Sequence, residues 1–157
     1  VDVAAHSTRH FTHPRPAVFD KAVDVAMLPR TFVGAGPIPS IREAALLTPG
    51  PLRAGSVRRI KNSDGSVIDE QILAVESPSR HDYRLPGGFA FPFNLLVKEA
   101  TSRWSFHDAA DGGTTIAWTY HFTLTSPLAA PVVLPLIKVF FARAMKNCLR
   151  RLSEELS

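Results

Sequence analysis

Residues Ala100 to Phe122 read ATSRWSFHDAADGGTTIAWTYHF, and one folding of this stretch brings every large side chain together. A three-residue turn at Ala110-Asp111-Gly112, with Gly112 in the left-handed conformation, is a favoured hairpin connection. It sets Phe106 opposite Ile116, Trp104 opposite Trp118, Ser102 opposite Tyr120 and Ala100 opposite Phe122. Arg103, Ser105, His107, Thr115, Thr119 and His121 then point the other way, the period-two alternation of a half-buried sheet.

The chain downstream supplies what this face needs. A long helix is expected from about Pro131 to Glu155. Its apolar stripe of Ile137, Phe141, Met145, Cys148, Leu149, Leu152 and Leu156 recurs at three- and four-residue spacings. Sheet face and helix stripe form two sides of one core.

Upstream, a second hairpin closes at Ser63-Asp64-Gly65, joining strands Ser56 to Asn62 and Ser66 to Glu76. Its register places Ile60 opposite Ile68 and Arg58 opposite Glu70. Arg80 to Leu85 reads as a further strand after the Ser77-Pro78-Ser79 turn. At the start, Val3 to Thr12 reads as a strand and Pro14 and Pro16 open a helix to about Val25. A shorter helical turn over Met27 to Phe32 follows, then a Gly- and Pro-rich loop, Gly34 to Pro39, and a strand around Ser40 to Leu47. Pro86 to Phe93 is too irregular for a strand and too apolar for a solvated loop; we read it as a lid or rim.

Composition sets outer bounds. The 157 residues, 45% apolar and 20% charged, fit one globular domain spanning 1–157. Cys148 is the only cysteine, so no internal disulfide forms, and a reducing compartment is favoured. The net charge of +4 gathers at Arg143, Lys146, Arg150 and Arg151, where cations offset the negative end of the helix dipole. We read this cluster as a solvated face and expect no nucleic-acid partner. Leu128 to Ala142 is apolar but shorter than the roughly 20 residues of a bilayer span, so no transmembrane segment is expected. No secretory signal is visible and the expected compartment is cytoplasmic. The chain begins at Val1, which leaves a removed N-terminal segment open, and a homodimer is open as well.

The order strand, two helices, six strands, long helix resembles the START-like (SRPBCC) helix-grip superfamily, and within it the polyketide cyclase/dehydrase-like proteins. The matching residues are Pro16-Ala17-Val18-Phe19 with Asp24, Gly55 with Arg58, Asp64-Gly65, Glu70, Ser77 to Tyr83, Gly112 to Thr115 with Trp118, and Leu149 with Leu152. The resemblance implies an α+β helix-grip fold, a curved antiparallel sheet of about seven strands around a long C-terminal helix, with two short helices after the first strand. Its members include aromatase/cyclases and carriers of quinones, sterols and lipids, so the fold does not choose the activity.

Several residues are candidates for function. Trp104, Phe106, Trp118, Tyr120 and Phe122 either line a ligand cavity or fill a dry core. Tyr120 and Ser102 are the better cavity candidates, because an inward hydroxyl needs a partner. Phe89 and Phe91 of the lid, with Phe141 and Met145 of the helix, complete the expected binding set. Arg58, Glu70 and Tyr83 are the candidate catalytic residues, able to orient a polar group or move a proton. The competing expectation for Arg58 and Glu70 is an ion pair at the sheet margin, with Arg58 reaching solvent. His81 shares a face with Tyr83 and is expected to be a surface or packed side chain. His6 and His10 lie about 13 Å apart along a strand, too far for one ion, so no metal site is expected. No cofactor motif is present, and Cys148 is expected in the core.

The leading expectation is binding of a hydrophobic, ring-containing small molecule between sheet and helix. The alternatives are a cofactor-independent polyketide cyclase/aromatase and a protein- or membrane-interaction module.

Overall fold

The computed structural model describes residues 1–157. Seven strands form one antiparallel sheet: β1 (Asp2–Phe11), β2 (Ile41–Leu46), β3 (Val57–Asn62), β4 (Val67–Glu76), β5 (Arg80–Leu85), β6 (Val97–Asp108) and β7 (Thr114–Leu124). Their order is β1-β7-β6-β5-β4-β3-β2, so consecutive strands are neighbours throughout β2 to β7 and β1 returns to close beside β7. Between β1 and β2 lie helix α1 (Arg15–Val23), a 3-10 turn (Val25–Met27) capped by Asp24, and helix α2 (Leu28–Thr31). A short helix α3 (Phe93–Leu96) leads into β6. This is a helix-grip α+β fold.

Register follows the turns. Gly65 and Gly112 take φ of 88° and 83°, and the pairs Trp104 with Trp118, Ser102 with Tyr120, Ile60 with Ile68 and Arg58 with Glu70 all form. Register shifts between Ile41 and Glu43, Ile72 and Ala74, and Val97 and Glu99 bend the strands locally. Such bulges increase twist, and they help the sheet curl round the helix.

The terminal helix is continuous from Pro127 to Glu155 but not uniform. After α4 (Ala130–Pro135) comes a π-helical segment, Leu136–Phe141, and then α5 (Ala142–Glu155). Pro135 has no amide hydrogen, so it cannot donate to the turn before it. The wider turn that follows puts both Ile137 and Phe141 against the sheet face. Along α5, Met145, Cys148, Leu149 and Leu152 are buried in the main core with Trp118, Phe106 and Ile116.

The helix runs further than the apolar stretch read from sequence. By length and composition alone, Pro127–Glu155 is apolar enough to cross a membrane. In the fold, Val133, Ile137, Met145 and Leu149 are buried, whereas Leu128, Val132, Leu134 and Val139 face outward.

Candidate functional site

Between the concave face of the sheet, α2 and the terminal helix lies a hollow of about 130 Å³. Tyr83, Trp104, Trp118, Tyr120 and Phe122 supply its sheet wall, and Ile137, Phe141, Cys148 and Leu152 its helix wall. Ile38 and Pro39 of the loop before β2, with Phe89, Ala90 and Phe93 ahead of β6, close its remaining sides. Ile60, Ile68 and Glu70 of β3 and β4 complete it.

The aromatic wall is held by its own contacts. Trp104 and Trp118 stack at 4.1 Å, and Phe141 meets the rings of Tyr120 and Phe122 edge-on at 4.8 Å. Each buried polar edge finds a partner, as burial requires. Trp118 donates Nε1–H to Ser102 Oγ at 2.9 Å, and Trp104 donates to Tyr83 Oη at 3.3 Å. The phenol oxygens of Tyr120 and Tyr83 are 3.4 Å apart. Burial raises the pKa of both phenols, so they remain protonated at neutral pH.

Glu70 forms part of the hollow's wall, and its partner Arg58 sits behind it. Their cross-strand register was legible, but their position corrects the expected ion pair at the sheet margin: Arg58 is 1% exposed and Glu70 5%. Arg58 turns inward because its guanidinium has two inner partners. Its Nε and Nη2 donate to Oε1 of Glu70 at 2.9 and 2.7 Å, and its Cζ lies 4.8 Å from the Tyr83 ring centroid. Burial opposes the charge on Arg58, but Glu70, together with Tyr83 and Tyr120, outweighs it and holds the pKa of Arg58 up. Burial likewise pushes the Glu70 carboxyl above its ordinary value, against the pull of Arg58.

His81 is packed rather than exposed, with its ring 5.2 Å from that of Tyr83. Burial and the nearby Arg58 charge lower its pKa to about 4. The imidazole is therefore neutral at pH 7, its Nδ1 lies 3.1 Å from the Ala74 carbonyl oxygen, and its Nε2 has no hydrogen-bond partner. Cys148 lines the hollow as well as the core. Burial pushes its thiol up to about 12, which removes it as a nucleophile at neutral pH.

The hollow thus gathers Glu70, Tyr83, Trp104, Trp118, Tyr120, Phe122, Phe89 and Phe141 from the expected set. It does not gather the rest. Phe91 projects into solvent, 76% exposed, on the outer side of the Pro86 to Phe93 segment. Phe106 packs edge-on against Phe19 at 5.0 Å, and Met145 is fully buried on the inner face of α5. Ser102 is occupied by the Trp118 indole, and Arg58 stands behind Glu70 rather than in the lining. Sequence reading missed the wall made by Met27 of the 3-10 turn with Leu28 and Thr31 of α2, and Val97, and it did not single out Ile38 and Phe93 within the loop and lid it named. The apolar spacing in Met27 to Phe32 was a signal, but so short a helix gives no sign of which surface it covers.

A family model described as polyketide cyclase / dehydrase and lipid transport matches residues 4–157. The chain belongs to this family. Among curated proteins it resembles the uncharacterized protein Rv2574 of Mycobacterium tuberculosis and its counterpart Mb2604 of Mycobacterium bovis. Each is 29% identical over 157 aligned residues, covering 92% of this chain and 89% of the relative.

Among solved structures, Ara h 8.0201 superposes with a TM-score of 0.72 at 17% identity, covering 99% of this chain and 98% of that one. Norcoclaurine synthase from Thalictrum flavum, in complex with dopamine and hydroxybenzaldehyde, gives 0.73 at 14% identity, covering 99% and 87%. The di-domain aromatase/cyclase BexL gives 0.72 at 18% identity, covering 99% of this chain and half of that one. At these identities the superpositions establish shared fold, on which members of the polyketide cyclase/dehydrase and lipid transport family are built.

Proposed function

We propose that the protein binds a hydrophobic, ring-containing small molecule in the hollow between sheet and terminal helix. The observation that carries this reading is the hollow itself, walled by aromatic rings and open to about 130 Å³ of internal space. A cavity of about 150 Å³ in a protein core accepts one benzene ring. Larger ligands require the Gly34 to Pro39 loop and the Pro86 to Phe93 lid to move apart, since these segments supply the walls that are not sheet or helix. The small-molecule complex of norcoclaurine synthase and the family's description in terms of lipid transport support a ligand-binding use of this fold. The test is a thermal-shift series with neutral aromatic compounds. A saturable rise in Tm that is lost in Phe141→Trp, which fills the hollow, supports the reading; a rise unaffected by that substitution places the ligand elsewhere.

A second reading is a polyketide cyclase/aromatase. It is favoured by the proton-carrying groups at the wall, Glu70 and Tyr83, with Arg58 holding the carboxylate. Enclosure would supply much of its catalysis by holding a chain near attack geometry. Tyr83→Phe then abolishes turnover of a poly-β-ketone while leaving ligand binding in place.

A third, docking of a membrane or a protein through the start of the terminal helix, is supported by the outward Leu128, Val132 and Leu134. Flotation with lipid vesicles that survives Phe141→Trp but not Leu128→Asp would favour it.

A further inference from the structure

Glu70 is the charged group of the hollow that lies deepest in the fold, and its two oxygens are not equally engaged. Oε1 accepts both hydrogen bonds from Arg58, whereas Oε2 accepts none from the protein. An ionised carboxylate has about four acceptor positions, and those left unmet in an apolar enclosure are unfavourable. The residue is 5% exposed and forms part of the hollow's wall, yet Oε2 is not among the atoms sealed off without a partner, so whatever meets it does so from inside the hollow.

The rest of the lining narrows what that molecule is. No Lys, Arg or His lines the hollow; its other carboxylate is Asp64, at the β3–β4 turn. Arg58 is not part of the lining: its Nε and Nη2 are committed to Glu70 and its Cζ lies against the Tyr83 ring, which leaves Nη1 alone without a partner, behind the wall. A ligand carboxylate in the hollow therefore meets the charge of Glu70 and no cation of the lining. An ammonium fares little better, because Arg58 already balances the charge of Glu70 and a second cation brings a net charge into an apolar enclosure. A neutral hydroxyl meets Oε2 without importing charge.

Resting on the ligand-binding reading above, we infer that the ligand is a neutral hydroxylated ring compound, a phenol, enol or ring alcohol, whose O–H donates to Glu70, and that carboxylated compounds are rejected. Glu70 is on this account the specificity-determining residue of the hollow.

The test uses four probes of similar size, phenol, toluene, benzoate and benzylamine, titrated at pH 7 into the ¹⁵N-labelled full chain. The indole N–H signals of Trp104 and Trp118, which line the hollow, report occupancy. A hydrogen bond to a charged group is worth about tenfold in affinity. Phenol is expected to saturate the shifts at about one tenth of the toluene concentration, with benzoate and benzylamine weaker than toluene. In Glu70→Gln the advantage of phenol over toluene falls away and benzoate gains, because Arg58 is released to meet it. Toluene equal to phenol, or benzoate comparable to either, overturns the hydroxyl preference while leaving the ligand-binding reading intact. If none of the four moves the indole signals, the hollow is not a ring site and both fall together. The wild-type series alone decides between these outcomes should Glu70→Gln fail to fold.

Discussion

Arg58 and Glu70 show how a pair that costs desolvation can still not be broken singly without loss to the fold that contains it. Removing one partner of a buried ion pair leaves an uncompensated charge and destabilises by about 3–5 kcal/mol, whereas replacing both with apolar residues is often neutral or better. Arg58→Met is accordingly expected to lose about 3–5 kcal/mol in denaturant unfolding, and Arg58→Met with Glu70→Leu to recover most of it. A loss under about 1 kcal/mol in the single variant would contradict the inward placement of Arg58.

His81 makes a second prediction at this scale. Its folded pKa of about 4 lies below the ordinary 6.5, so between these values the unfolded chain binds the proton and the folded one does not. Its contribution is complete above pH 6.5 and is lost as pH falls toward 4. The expected loss between pH 7 and pH 5 is about 2 kcal/mol. Urea melts at both pH values check it, and His81→Phe should remove that portion of the acid sensitivity.

At the scale of elements, one part of the terminal helix's inner surface closes core through Met145 and Leu149, and another bounds the hollow through Ile137, Phe141, Cys148 and Leu152. Phe106 on β6 faces the closed part, packed with Phe19 of α1, and Phe106→Ala is expected to destabilise by about 3–5 kcal/mol without enlarging the ligand space. Phe141 ends the π-helical segment and faces the hollow. Phe141→Ala is expected to cost about 2 kcal/mol or less, since the side chain is only half-buried, and to admit larger rings. Chemical denaturation of each variant, beside binding of one- and two-ring compounds, separates these roles; equal effects of the two substitutions on binding would sink the division.

For the molecule as a whole, strand pairing was legible because turns and side-chain alternation act locally. Gly112 and Gly65 fixed where the chain reverses, and a one-residue slip would have turned Trp104, Trp118 and Tyr120 to solvent. The wall contributed by α2, the π-helical turn and the direction of Arg58 were not legible, for they depend on what tertiary packing places above each residue. Phe89, Phe91 and Phe93 illustrate the limit. All three are phenylalanines of one lid, yet Phe89 and Phe93 line the hollow while Phe91 faces water, a difference set by how the loop bends rather than by composition. Family membership confirms the frame and leaves the ligand to be found from the walls.

The central claim is that the hollow takes a ring, and the most direct measurement is a crystal structure of the protein soaked with bromobenzene, read by the anomalous signal of bromine. The account expects a bromine peak inside the hollow, between the rings of Trp118, Tyr120 and Phe141. Peaks confined to the outward apolar residues Leu128, Val132 and Leu134, with none inside, would contradict it.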